Sequence, residues 1–266
     1  MRADARIVAE ADGHGGTRPV VLRGEPPLLL RRTGPRSGAV LTVHLVGGAA
    51  GPLRGDDLRL DVEVGPDARL DVRSVAASLA LPGAAGQPRS RMAVSATVAD
   101  GATLRWMPEP VIGAAGCDHL AVTDIRVAAG GTVVWRDDVV CGRHGEDPGS
   151  VHTDLTVRHA GATLYRHELA IGPDAPGWSG AAVLGGARAL GSVLLVGADL
   201  PRATVLGDDA AILPLAGPGL VAVAVGADVR RVRAVLDPLC AAWPPVPGFP
   251  WTGRAAGSGR PTRGPG

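Results

Sequence analysis

The polar stretch with the greatest chemical potential runs Trp135-Arg136-Asp137-Asp138-Val139-Val140-Cys141-Gly142-Arg143-His144-Gly145-Glu146. It closes an expected strand and enters a loop that carries Asp, Arg, His and Glu together. Two readings suit it: a charged β-edge that resists edge-to-edge pairing, or acidic groups lining a path or interface for a cation. Composition alone favours the edge. Cys117-Asp118-His119 supplies three metal-ligand types, but an extended chain sends alternate side chains to opposite faces. Cys117 and His119 then share a face, which gives two ligands and not a closed site. His144, His152, His159 and His167 have no i, i+4 helical pairing and read as half-exposed strand or turn residues. A weak, transient metal site fits these residues; a tight structural one does not.

Covalent and nucleotide chemistry find little support. Gly177-Trp178-Ser179-Gly180-Ala181 lacks the second glycine of a nucleophile elbow. No phosphate-cradling P-loop occurs, and His14-Gly15-Gly16 is an isolated glycine-rich turn.

The elements that must position these residues are strands. Leu58, Leu60, Val62 and Val64 alternate with Arg59, Asp61 and Glu63, and Leu70 and Val72 alternate with Arg69, Asp71 and Arg73 across Gly65-Pro66-Asp67. Period two means one buried and one wet face, so the segment reads as a hairpin, with turn residues suited to the corner. The phrase recurs around Ala96–Leu104, Ile125–Val133 and, with one extra residue, Leu155–Leu164. The turn-side valines Val64, Val98, Val127 and Val157 lie 34, 29 and 30 residues apart. Such a period indicates one supersecondary unit stacked repeatedly, because a lone hairpin cannot bury its apolar face. The expectation is a mainly β, elongated, solenoid-like stack of hairpins, with a meander of similar turns as the alternative. Val183–Val196 and Leu220–Val225 read as buried strands. One helix follows, capped by Asp228, with Val229, Val232, Val235, Leu236 and Leu239 as its apolar stripe. Arg230, Arg231 and Arg233 read as its solvated face, and Pro244-Pro245 as its stop. We expect one β-rich domain over residues 1–251 and a disordered Gly/Pro/Arg tail over 252–266.

Composition narrows the function classes. The 266 residues include 39 Gly and 23 Pro, so long uninterrupted helices are not expected. All 27 basic residues are arginine against 26 acids, and a net charge of +1 argues against a nucleic-acid binder. Aromatic residues make up only 3% of the chain, which disfavours an aromatic-lined sugar or base cleft. Three widely spaced cysteines suggest reduced thiols. The charged segment Met1–Arg6 lacks the apolar run of a signal peptide. A soluble, cytoplasmic protein is expected.

Several of these phrases, in order, carry a resemblance. Gly47–Asp56 followed by Leu58–Val72 looks like the front of the urease accessory protein UreD (UreH) family. Trp106-Met107-Pro108-Glu109-Pro110 resembles that family's Trp-Leu-Pro-Gln-Glu, with the acid displaced by one position. Gly142-Arg143 and Gly145-Glu146 are similar to its Gly-Arg…Gly-Glu phrase, and Gly177-Trp178 and Leu184–Val196 follow in the expected order. The family's Thr-Thr-Gln…Lys-Val-Tyr run is replaced by Ser74–Pro82.

The resemblance implies a β-helical protein without enzymatic activity. It implies a complex with UreF and the GTPase UreG that docks on apo-urease and helps to insert nickel. It also implies passage of nickel through an internal tunnel. No tightly bound cofactor is expected, and nickel is cargo in transit. Scattered carboxylates suit such a route, since a tight thiolate site would trap the ion. The candidates are Glu109, Asp118, Asp138 and Glu146, with Trp106, Pro108, Arg143, Gly145 and Trp178 as motif or interface residues. The competing readings are a stand-alone β-solenoid carbohydrate-binding or enzymatic module, and tight metal storage by this chain alone.

Overall fold

The computed structural model describes residues 1–35, 38–197 and 204–242. The chain opens with β1 (Arg2–Ala11), β2 (Thr17–Gly24), β3 (Leu28–Thr33), β4 (Leu41–Gly47), β5 (Asp57–Val64), β6 (Arg69–Ser74) and β7 (Ser78–Ala80). It continues with β8 (Ser90–Val98), β9 (Thr103–Met107), β10 (Val111–Gly113), β11 (Asp118–Val127), β12 (Thr132–Cys141), β13 (Ser150–His159) and β14 (Ala162–Ile171). It closes with β15 (Ala189–Val196), β16 (Thr204–Val205), β17 (Ala210–Pro214), β18 (Gly219–Gly226) and α1 (Val229–Ala242).

Two sheets face each other. The first has the order β14-β13-β11-β8-β5-β1-β2; the second has the path β16-β17-β18-β15-β12-β9-β6-β4-β3, with β7 and β10 attached beside β12. Their central strands are parallel, because each coil of chain lays one strand in each sheet and then climbs to the next. This is the expected mainly β, solenoid-like stack, and its repeating unit differs from a hairpin. The two alternating arms Leu58–Val64 and Leu70–Val72 do not pair with each other. β5 pairs with β1 and β8, and β6 pairs with β4 and β9.

The corner is responsible. Asp67 at φ 59 and Gly101 at φ 68 adopt the left-handed region at equivalent positions. The same tight turn closes three times, from Ala68 N–H to Gly65 O, Ala102 N–H to Ala99 O and Gly131 N–H to Ala128 O. Each turn rotates the chain into the opposite sheet. Leu60, Val62, Leu70, Val72 and Leu104 thus meet across the sandwich and form its core. Val64, Val98 and Val127 stack in register, as the repeat requires. The fourth copy departs: Val157 pairs with Ile125, and its turn at Ala160-Gly161 makes a true hairpin between β13 and β14 that ends the parallel stack.

Of the segment Val183–Val196, only Ala189–Val196 is strand. Asp228 caps α1, accepting hydrogen bonds from Arg230 N–H at 2.8 Å and Arg231 N–H at 3.1 Å. Val232, Leu236 and Cys240 are buried against the outer face of the second sheet, and Val229, Val235 and Leu239 pack partly against the same cluster. Arg230 and Arg231 are exposed, but Arg233 is turned toward the sheet. One face of α1 therefore carries both apolar and ionic contacts to the sheet. Pro244-Pro245 and the tail 252–266 lie outside the described residues. No described helix is long and apolar enough to cross a membrane.

Candidate functional site

Away from the stacked corners, the two sheets enclose a cavity of about 420 Å³. Its walls come from inward positions of β8, β11 and β12 and from the segment after β9. Its rim is formed by the exposed loop residues Ala49, Ala50, Val75, Ala76 and Ala77.

The cavity wall is built by strand register. Trp106 and Trp135 are paired neighbours on parallel strands, so their rings stack at 4.6 Å and 7°. Two residues on, the same face of β12 presents Asp137. Its Oδ2 accepts the Trp135 Nε1–H at 2.8 Å, and among the described residues it has no arginine partner. Burial pushes the Asp137 carboxyl up to about 6, against the opposing effect of the Trp135 N–H. His119 lines the same cavity from β11, with Nδ1 2.9 Å from Ser90 Oγ. Burial pushes its imidazole down to about 4, so it is neutral at pH 7. A largely apolar chamber thus holds a carboxylate and a neutral imidazole.

The four candidate carboxylates fall in different places, each beside an arginine. Asp138 points to the opposite face of β12 from Asp137. It lies under α1, with Oδ2 2.9 Å from Arg136 Nε and 3.4 Å from Arg233 Nε. Glu109 lines the cavity between β9 and β10, and its Oε2 lies 2.9 Å from Arg233 Nη2. Arg233 therefore brings Glu109 and Asp138 together. Asp118 opens β11 and pairs with Arg54 at 2.9 Å and Arg89 at 3.6 Å. Glu146 accepts from Arg143 Nη2 at 2.6 Å, Nε at 2.8 Å and the backbone N–H at 3.1 Å. The Arg143 side chain holds its carboxyl down at about 2.

The motif residues are similarly spread. Trp106 and Pro108 line the cavity, Gly145 turns its loop at φ 71, and Trp178 packs against the cluster around Cys117, Cys141 and Leu184. Among the described residues, no group of three or more His, Cys, Asp or Glu is placed to hold a metal. All three cysteines are buried. Burial pushes the Cys117 and Cys240 thiols to about 11 and raises that of Cys141, so none is a thiolate at neutral pH.

The cavity residue that sequence reasoning passed over is Asp137. The signal was present, since a buried Trp135 fixes the inward phase of the strand and Asp137 shares it. Choosing Asp138 took the carboxylate on the other face.

Stacked β-coils around a largely apolar chamber define a β-solenoid-like protein. Residues 1–252 match the family model described as UreD urease accessory protein. The chain is 45% identical to urease accessory protein UreD 3 of Streptomyces griseus, over 89% of this chain and 95% of that one. It is 45% identical to urease accessory protein UreD of Streptomyces avermitilis, over 89% and 95%. It is 42% identical to the UreD of Frankia alni, over 90% and 93%. The chain belongs to the UreD family of urease accessory proteins, and its role lies in urease maturation.

Proposed function

We propose that this chain is a non-catalytic scaffold that works with UreF and the GTPase UreG on apo-urease and conducts nickel through its interior. The observation that carries this reading is Asp137, a carboxylate inside the cavity whose only partner among the described residues is an indole N–H. An enclosed anion without a counter-charge is costly; a passing cation removes that cost. One carboxylate and one imidazole are too few donors to close a site around nickel, which favours release, whereas a full set of thiolates would hold the ion. Glu109 at the lip adds a second carboxylate to the cavity. Nickel is cargo here, and no tightly bound cofactor takes part.

The test is urease activation with the reconstituted accessory complex and the Asp137→Asn variant. Asparagine keeps the shape and an acceptor for Trp135 but removes the charge. Slower activation with the complex still assembling on size exclusion is the expected result. An unchanged rate with intact assembly overturns the reading.

A further inference from the structure

The two sheets end unevenly on the side away from β2 and β3. The first sheet stops at β14, whereas the second continues past β18 into β17 and β16. β14 lies over β18, since a Cβ at Gly219 would meet Leu164 Cδ2 at 3.0 Å. β17 and β16 therefore overhang, with no strand of the first sheet opposite them among the described residues. Leu213 pairs with Val221 and Ala211 with Val223, and both valines pack in the core between the sheets. Val205 pairs with Ala211. Partners across a ladder share a face, so Leu213, Ala211 and Val205 point to the inner side. Leu213 is 49% exposed there and Val205 76%. The free edge of β14 closes the step. This strand contains no proline, whereas β2 at the opposite edge is blunted by Pro19 and a bulge against β1. Tyr165 and His167 face inward, paired with Val157 and Leu155. Arg166 and Glu168 face outward and are exposed. Glu168 lies directly opposite Asp154, a like-charged pair that a base on the free side would relieve.

We propose that this step takes one extended segment of a partner protein, added antiparallel to β14, with apolar side chains over Leu213, Ala211 and Val205 and with a base beside Glu168 and an acid beside Arg166. The edge supplies backbone N–H and C=O groups for such an added strand, and alternate side chains supply the selectivity. Antiparallel addition is the more stable direction and continues the pairing of β13 with β14. In that direction the segment reads base, apolar residue, acid. A second copy of the chain does not fit. Pairing two β14 edges about a two-fold axis puts both second sheets on one side, and the β17 of each copy then falls where the β18 of the other lies. The chain's own C-terminal segment is a poor added strand, since Pro244, Pro245, Pro247 and Pro250 lack the N–H that a ladder requires. The step is separate from the cavity, and the proposal stands independently of the nickel route.

The experiment is calorimetric titration of the full chain with the end-capped peptide Thr-Val-Arg-Val-Glu-Val-Thr and with Thr-Val-Glu-Val-Arg-Val-Thr, which has the same composition with the charges exchanged. The first is expected to bind at least about fivefold more tightly, because exchange sets like charges opposite each other at two positions. The double variant Arg166→Glu/Glu168→Arg, altered only at exposed positions, should reverse the preference. Leu213→Thr keeps a strand-forming residue and should weaken both peptides by about fivefold, through lost apolar contact. Hydrogen exchange on wild type supplies a readout that needs no substitution, since the first peptide should slow exchange within residues 165–169. A preference for the exchanged peptide, a preference unaltered in the double variant, or unchanged exchange in β14 overturns the proposal. Failure of both peptides to bind also overturns it, and sedimentation then separates the causes: a dimer assigns the edge to a second copy, and a monomer leaves it to the chain itself.

Discussion

Asparagine at position 137 should make the protein more stable at neutral pH while impairing it. The folded chain holds the Asp137 proton up to about 6, against an ordinary value of 3.8, because burial penalises the charged form. An acid whose folded pKa is raised costs nothing below its unfolded value. Its penalty grows as pH climbs between the two values and is complete above the folded one. At about 1.4 kcal/mol per unit, the penalty is about 1.6 kcal/mol at pH 5 and about 3 kcal/mol at pH 8. Asp137→Asn removes it and keeps an acceptor for Trp135 Nε1–H. Urea unfolding of both proteins at pH 5, 6, 7 and 8 measures the difference directly. The variant should be more stable throughout, with the gap widening by about 1.4 kcal/mol from pH 5 to pH 8. In a chain of this size the gain at pH 8 corresponds to a rise in Tm of roughly 6–12 °C. A gap that stays flat with pH, or a variant less stable than wild type at pH 8, refutes the placement of this carboxylate in a desolvated chamber. Stability gained with activation lost is the expected pattern for a group kept for function.

Two further predictions concern the contact between α1 and the second sheet, and a third the buried thiols. Arg136→Met leaves the fully buried Asp138 with Arg233 alone and should cost about 3–5 kcal/mol in denaturant unfolding; a loss below about 1 kcal/mol contradicts the buried pairing. Gly191→Ala drives a methyl toward Asp138 Oδ1 at 2.6 Å and Leu236 Cδ1 at 2.9 Å. It should destabilise by about 1–3 kcal/mol, with faster hydrogen exchange confined to α1 and β15. Cys117, Cys141 and Cys240 should resist iodoacetamide in the native protein at pH 7.5 and react fully in denaturant. Rapid native alkylation of any of them would show an open thiol.

How much could be read from the residues follows from what period two encodes. It fixed the inward sets Leu58, Leu60, Val62, Val64 and Leu70, Val72, and the recurrence near 30 residues announced stacking. It says nothing about pairing partners, because the arms of a hairpin and of an arch alternate identically. Only the corner decides, and left-handed Asp67 and Gly101 close a turn that swings the chain to the other sheet. The one extra residue in the fourth copy was visible as a length change. Its consequence, a true hairpin, lay in Ala160 and Gly161. On α1 the apolar stripe was legible, but the arginines were grouped by charge alone, and Arg233 lies close enough to the stripe to meet the sheet. For the site, period two could show that Asp137 and Asp138 of the stretch Trp135–Glu146 face opposite ways, but not which of them meets a cavity.

That face divides the chemistry of the molecule. Arg136, Asp137 and Asp138 are consecutive on β12, and the pleat sorts them. The outer two meet each other and α1, where Asp237 and Arg233 complete the charge balance. The inner one meets Trp135 and the cavity. In a parallel, in-register stack, every coil repeats its inward positions above those of the coil before. A lane begun at one coil is continued by the next, as Trp106 and Trp135 already do. A single antiparallel meander offers no such alignment of equivalent positions along its length. The stacked architecture thus aligns inward positions from coil to coil, while α1 covers part of the outer face of the second sheet. The charged triplet on β12 is the point where the lane and the helix-covered face share one strand, so displacing α1 should be felt at the cavity lip first.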